Sequence, residues 1–563
     1  MSSEVGAVVG VADSRLAVYD RYLPAYPGTA ERTYYLALTV TATVALYYEA
    51  YCGGSVAPQI LNYYGITIKF YLFTAVIGFV LGALATVLGG LADRVGRANM
   101  VAYGLLVVSF MKAFVEPHMP NKWLFAAAGS VSGLIEGVIL VATPALMRDF
   151  SPRMGRATAM GFWAVGPVLG SLCAAEVSSH TLGHLGAWQD QYSIAGISGL
   201  LVGVLVIYTL RELHPRLRHQ IMVSLEDRAQ LEAQARGIDV RAGLERPWRQ
   251  MLTGRIVTSA FAIAVYLMFY YVLVGALAIF LETTFRYSGQ KANSVANWVW
   301  LTNAVFLVVW GWVSDRLRVR KPFMIAGGVG SLISTLVFLA QATRPQASAH
   351  TLTVILSVQA IFGAMVFAPW MAGFTETVED RNPALVATGL AVSGGVLRVV
   401  VAATVFVFPF VVPAVTPLVD YGPQVLRYST TYAPQLRAAE AIAPSTLQTL
   451  QHDPTNPAAD AAAVGQIQAA EHVSAKAAVA DLVALGAAGP EVAYLAEHGP
   501  AVAAASSQNP RQWQHLFLIT AAGQLLFIPL VLAMIGPWTP AAGRRRDEEQ
   551  EERIRAASAP VAV

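Results

Sequence analysis

The feature that leaves this chain the least choice is a series of twelve apolar stretches, at roughly 34–60, 69–91, 98–117, 123–147, 157–177, 192–210, 255–281, 293–313, 322–342, 351–374, 384–413 and 513–538. A helix needs about twenty mainly apolar residues to cross the hydrocarbon core of a bilayer, and each stretch approaches or exceeds that length. With 55% hydrophobic and 13% charged residues, the chain lies far from a soluble domain, whose charged share is about a quarter. The expected class is an all-α integral membrane protein with twelve transmembrane helices, its main partner the lipid bilayer.

The sparse charges are sorted by side. Arg94, Arg97, Arg148, Arg153, Arg156, Arg316, Arg318, Arg320, Lys321, Arg381 and the Arg544–Arg546 triplet all fall on one face of an alternating topology, while the opposite short loops hold few bases, such as Lys122, Arg286 and Arg344. The positive-inside rule makes the first face cytoplasmic, so both termini are expected inside, in a multi-pass protein of the cell membrane. A net charge of +3 gives no footing for nucleic acid. Asp13, Arg15, Asp20 and Arg21 interrupt the first thirty residues, so no cleavable signal is expected and the first span serves as its own signal. Cys52 and Cys173 lie inside apolar spans and read as small packing residues, implying neither a disulfide nor a metal.

Features recur between the halves. GGLADRVGRA at Gly89 follows the second span, and GWVSDRLRVRK at Gly311 follows the eighth; RDFSPRMGRATAMG at Arg148 parallels EDRNPALVATG at Glu379. Asp93 and Asp315 are 222 apart, Gly161 and Gly389 are 228 apart, and near-constant offsets indicate an internal repeat. The expected division is a cytoplasmic tail over 1–33, a six-helix bundle over 34–210, a cytoplasmic loop over 211–254, and five helices over 255–413. An external alanine-rich insertion over 414–511, a twelfth helix over 512–538 and a cytoplasmic tail over 539–563 complete it. The two bundles are then pseudo-symmetric. The insertion carries more acids than bases, which suits the external face; a partner-docking domain, a lid and an unordered segment are all open readings.

In GGLADRVGR, Gly89 lets a neighbouring helix approach and Gly96 permits a tight turn. Asp93 can accept from the free amides at a helix start, and Arg94 and Arg97 can pair with carboxylates or phosphates. The run closely resembles the loop signature of the major facilitator superfamily between its second and third helices. Gly311, Asp315 and Arg316 match its weaker second copy between helices eight and nine. The resemblance implies that Asp93 docks on the start of the eleventh helix, near Pro383, and latches an inner gate. Ala98 stands where the signature ends on a base, and Arg318 where the second copy has its second glycine.

Three charges sit near the middle of spans: Glu49 in the first, Glu136 in the fourth and Arg398 in the eleventh. Each costs about 2.5–3.5 kcal/mol on insertion scales, which makes the glutamates candidates to carry a proton and Arg398 a candidate to meet an anionic substrate. An acid paired with Arg398 for structure alone is the competing reading. Ser132 and Thr143 share the helical face of Glu136, Gly394 and Gly395 leave room beside Arg398, and Asn303 is the polar residue of the eighth span. Ser132 and Asn303 join the substrate-binding candidates. Lys69, Lys112, Glu176 and Glu282 lie near span ends and are expected to reach water. The superfamily resemblance implies that the first and fourth helices line the cavity, and the Glu49 to Pro58 spacing matches proton-coupled members.

GFWAVGPVLG, with Gly166, Pro167 and Gly170, partly resembles the fifth-helix signature of drug–proton antiporters. The run that marks sugar symporters after the sixth span is absent. His180 and His184 are a helical turn apart without a third metal ligand, so no metal, cofactor or enzyme activity is expected. The reading is a proton-coupled secondary transporter working by alternating access on a small-molecule substrate, preferably an organic anion (a carboxylate). Drug–proton antiport is the first alternative, and a non-transporting receptor or scaffold, with an external partner for 414–511, the second.

Overall fold

The computed structural model describes residues 21–23, 25–87, 96–150, 162–163, 165–213, 247–344, 346–381, 386–453, 455–534 and 536–558. Apart from two short strands, β1 (Tyr22–Leu23) and β2 (Glu212–Leu213), the regular structure of these residues is helical. The first half contains α1 (Thr29–Ser55), α2 (Ala57–Tyr64), α3 (Ile68–Val87), α4 (Arg97–Phe110), α5 (Lys122–Phe150), α6 (Gly166–Leu185) and α7 (Trp188–Thr209). The second contains α8 (Pro247–Met251), α9 (Gly254–Tyr266), α10 (Met268–Phe285), α11 (Gly289–Leu317), α12 (Lys321–Ala342), α13 (Ala349–Arg381) and α14 (Val386–Val411). Six further helices occupy the expected insertion and its exit: α15 (Val415–Asp420), α16 (Gly422–Thr431), α17 (Ala433–Ala441), α18 (Pro444–His452), α19 (Pro457–Glu471) and α20 (Ala475–Ala487). Then come α21 (Gly489–Leu532) and α22 (Pro540–Ser558).

Among the described residues nine helices, counting α9 with α10 as one, are long and apolar enough to cross a bilayer, or ten if α2 and α3, bent by 114° at a left-handed Gly65, form a broken span. The sequence reading expects twelve. The difference lies in polar content: α1 opens on Glu31 and Arg32 and holds five threonines, and α6 carries Ser171, Glu176, Ser178, Ser179, His180 and Thr181. In α1 the hydroxyls of Thr39, Thr41 and Thr43 donate to carbonyls one turn back at 2.7–2.9 Å, so they enter an apolar setting already satisfied.

Among the described residues the buried side chains form a large shared core, a small shared patch, one core in each half and one in the insertion. The shared core joins both halves through residues such as Tyr48, Cys52 and Trp188 on one side and Phe280, Trp300 and Trp513 on the other. It occupies the end of the molecule away from the terminal segments. Toward the tail end each half keeps its own core, Leu46 with Leu105 and Phe150 in the first, Ile263 with Trp370 and Phe527 in the second, and a small patch of Val168 with Ala304, Leu307 and Ala364 joins the halves. The insertion has a small core of its own around Ala438, Ile467 and Leu485. Its last helix does not stop where the apolar run begins: α21 is a single helix of 44 residues across the boundary expected at 511 and 512.

Candidate functional site: a central cation, a buried acid cluster and two tail-end ion pairs

Arg398 lies on α14, half-buried, with Nη1 3.5 Å from where a side chain on Gly394 would begin. That glycine supplies the room the sequence suggests. The guanidinium interacts electrostatically with the hydroxyls of Tyr47 on α1 and Tyr271 on α10. Around them stand Tyr51, 5.4 Å from Tyr47 between ring centres, and Tyr270, 5.2 Å from Tyr271. Tyr47 is also within electrostatic reach of Glu136 on α5. Helices from both halves therefore meet around one cation. Among the described residues no carboxylate forms an ion pair with Arg398, so the expected alternative of a structural pair finds no partner there.

The glutamates are separated by environment. Glu136 is half-buried, one of its oxygens being without a hydrogen-bond partner. Glu49 is fully buried, and its carboxylate lies between α4 and α7, against the bare Cα of Gly199 and beside Ser109 Oγ. Gly196, Gly199 and Gly203 form a stripe on α7, where added methyl groups would strike Ala113, Ser109 and Leu106 of α4 and its continuation. The stripe lets the two helices close around the acid. Glu49 and Glu136 are also within electrostatic reach of a group the sequence reading expected at the water surface, Lys112.

Lys112 lies in a π turn, Met111–Val115, that continues α4 and passes into a tight turn over Glu116–His118. Its ammonium is 3.0 Å from Glu116 Oε2, with side chains only 9% and 1% exposed, and 5.2 Å from the ring centre of Tyr192. Ser132 Oγ donates to Glu116 Oε1 at 2.6 Å. Ser132, a substrate-binding candidate by sequence, is thus engaged by an acid on the neighbouring helix. Glu116 was missed because it stands at the very end of the third apolar stretch, before a proline, where it reads as an acid leaving the membrane. Asn303 also serves packing, its amide donating to the carbonyl of Ala360 on α13 at 3.0 Å. Thr143 accepts from Trp163 Nε1 at 3.1 Å.

At the tail end, Gly89, Asp93, Arg94 and the Pro383 segment lie outside the described residues, so the latch expected between them does too. Gly96 and Arg97 are described. Gly96 takes φ 99° at the start of α4, where a side chain would strike the Glu212 carboxylate. Glu212 Oε2 accepts from the Arg97 amide at 2.9 Å, capping one of the free amides of a helix start. The Arg97 guanidinium pairs with Asp149, at the end of α5, at 2.7 Å. In the second copy Asp315 contacts Arg320 at 2.6 Å, and Arg320 reaches Glu376, near the end of α13, at 2.9 Å. Burial opposes the Arg320 charge, but Glu376 and Asp315 more than offset it and hold the guanidinium above its ordinary value. Arg316 instead covers the ring of Trp312, and Gly311 lies against Ala368. Each half thus ties its signature loop to an acid at the tail end of its fourth long helix. Those acids stand in the paralleled runs at Arg148 and Glu379, or just before, which is the signal that could have found them.

The sequence profile of the Major Facilitator Superfamily matches residues 39–274 and 259–419. The chain belongs to the major facilitator superfamily. It is a membrane transporter by that membership, and residues 1–38 and everything after 419 fall outside the match. It is 25% identical over 293 residues, 48% of its length, to the probable anion transporter 3 (chloroplastic) of Oryza sativa subsp. japonica, and spans 54% of that relative, about half. Among solved structures it is similar to a bacterial homologue of the human lysosomal transporter Spinster in an inward-facing, occupied conformation. That likeness has TM-score 0.57 and 16% identity, over 91% of this chain and all (100%) of that one. A D-xylose–proton symporter gives TM-score 0.51 and 16% identity, over 67% of this chain and 90% of that one. At such identities the structures speak for the fold, and this superfamily member's cargo must be argued from its own residues.

Proposed function

We propose that this transporter moves a small organic anion, preferably a carboxylate, with protons by alternating access between two six-helix halves, as a twelve-span protein of the cell membrane with both tails in the cytoplasm. The observation that carries the reading is Arg398: a cation without an acid partner among the described residues, set among tyrosine hydroxyls where α1, α10 and α14 approach one another. An uncompensated charge at this depth is costly, and an arriving carboxylate relieves that cost with a planar two-point pair. The anion named for the rice relative agrees with the assignment. Glu136 faces the same region and carries the coupling proton, with Glu49 behind it. The Arg97 and Arg320 clusters, with Asp93 and Arg94, hold the tail-end gate.

The test is internal pH in proteoliposomes as lactate, succinate or citrate is added outside, with tetraphenylphosphonium and xylose as the cation and sugar comparators. A carboxylate-dependent pH change that Arg398→Ala reduces about a hundredfold, the size of a lost buried ionic contact of about 3 kcal/mol, is the expected result. A response to tetraphenylphosphonium that survives Arg398→Ala would transfer the assignment to drug efflux. Gly166 and Gly170, whose bare Cα atoms admit Thr43 and Tyr47 of α1, are accounted for by packing and do not favour efflux.

A further inference from the structure

We propose that Glu116, held between Lys112 and Ser132, is the outer port of the proton path that reaches the cavity at Glu136. The inference rests on the proton-coupled reading above and adds a route to it. Glu116 is 1% exposed, yet it begins the turn whose last residue, His118, is exposed at the far end of the molecule. Along the chain one residue, the buried Pro117, separates this carboxyl from the exposed His118. On its inner side Glu116 is joined to α5 by the 2.6 Å hydrogen bond from Ser132. Ser132 and Glu136 are four residues apart on one helix, so they share a face one turn apart; no hydrogen bond joins them directly, and a bridging water completes the route.

A serine hydroxyl donates and accepts at once, so it can take a proton from Glu116 as it gives its own to a water bridging toward Glu136. A proton that arrives on Glu116 passes to Ser132, the Ser132 proton passes to that water, and the water gives one of its own to Glu136, each group ending as it began except the two carboxyls. No other bond changes and no co-reactant is needed. Lys112 supplies the charge balance. It faces three acids, Glu49, Glu116 and Glu136, and one ammonium neutralises one carboxylate. The cluster is therefore neutral only with two protons bound, and it is secluded enough for that neutrality to matter. The π turn is what brings Lys112 inward: such turns are rare, recur at functional sites, and this one turns a lysine near a span end onto Glu116 and the Tyr192 ring. A purely structural ion pair would also fix the end of α4. It would not require the hydroxyl that holds Glu116 to stand one turn from a second acid on the same helical face.

The experiment separates proton movement from substrate movement in proteoliposomes of the full chain. Lumenal pH is followed while lactate, succinate and citrate are each added as probe, and counterflow of the same labelled compounds, which needs no net proton, is measured in parallel. Glu116→Gln is expected to lower probe-driven proton movement about tenfold or more while counterflow stays within about twofold of wild type, and Glu116→Asp to restore part of the proton movement. Equal proton movement in Glu116→Gln and wild type overturns the path and leaves the coupling reading standing. A wild type that moves no proton with any of the three probes overturns both. Should Glu116→Gln lose counterflow as well, Ser132→Ala, which removes one hydroxyl, decides by the same measure: slowed proton movement with intact counterflow supports the path, and unchanged proton movement overturns it.

Discussion

At the scale of single residues, the decisive positions are those where a missing side chain makes room for a charge. Gly199 is the clearest. A methyl group there would overlap both the Glu49 carboxylate and Ser109 Oγ, and neither can retreat, since Glu49 is fully buried. Gly199→Ala is expected to destabilise by about 1–3 kcal/mol, the usual range for overpacking, read as a lower melting temperature of the purified protein. Arg318 is the opposite case. It holds φ 54° at the end of α11, a left-handed position that costs an ordinary residue about 1–2 kcal/mol and where the superfamily signature has glycine. Because the arginine side chain has interactions of its own, the fair comparison removes it twice: Arg318→Gly is expected to be roughly 1 kcal/mol more stable than Arg318→Ala in the same melting experiment. Glu49, Glu136 and Arg398 stood out in the sequence because a charge inside an apolar span is visible there. The direction of Lys112 was not legible, because a π turn leaves no signature in apolar periodicity and a lysine near a span end ordinarily reaches water.

At the scale of elements, the signature loops were legible as a repeated motif, and their partners Asp149, Glu376 and Glu212 only as acids in loosely paralleled runs or in a connector. The insertion was least legible, its alanine-rich composition suiting a docking domain, a lid or no fold at all. Short helices around a small core answer that, and the first of them, α15, is wedged between α2 and α3 of one half and α10 and α21 of the other, with Val415 and Val419 in the shared core. Asp420 ends α15 with one buried, unpartnered oxygen, and burial pushes its carboxyl up from 3.8 to about 7. Next to it Tyr421 stacks on His498 at 4.2 Å, and His498 lies 3.9 Å from Glu497. Between pH 3.8 and about 7 the docked helix binds a proton that the undocked chain does not, so docking is firmest at the acid end and weakens as pH rises through about 7. Asp420→Asn is expected to leave amide exchange of residues 415–421 close to wild type at about pH 3.5, below both values, and to slow it at about pH 8, after correction for the intrinsic rate. Equal exchange at both values would show that Asp420 does not govern the wedge.

At the scale of the molecule, one large core spans both halves at the far end, while toward the tail end each half keeps its own and a small patch around Val168 and Leu307 links them. Alternating access requires that the far-end seam open, and the seam has specific fasteners. Asn293 Nδ2 donates to the Ser55 carbonyl at 2.9 Å, and the Asn297 amide donates to Glu176. The last contact joins α6 directly to α11 and offers a place to hold the seam shut. In a Cys173→Ser background, which removes the half-buried thiol nearest the seam, the pair Glu176→Cys and Asn297→Cys is to be bridged by a short, reducible bis-thiol reagent. Bridged protein is expected to lose net carboxylate transport by about tenfold or more and to recover it on reduction, while the substrate still reaches Arg398 from the tail end and protects an adjacent engineered thiol there. The two readouts distinguish a locked cycle from a damaged one, because a distorted site would lose binding together with transport. Undiminished transport by the bridged protein would mean that α6 and α11 move as one body, and that the halves part along a different line from the one their shared core marks.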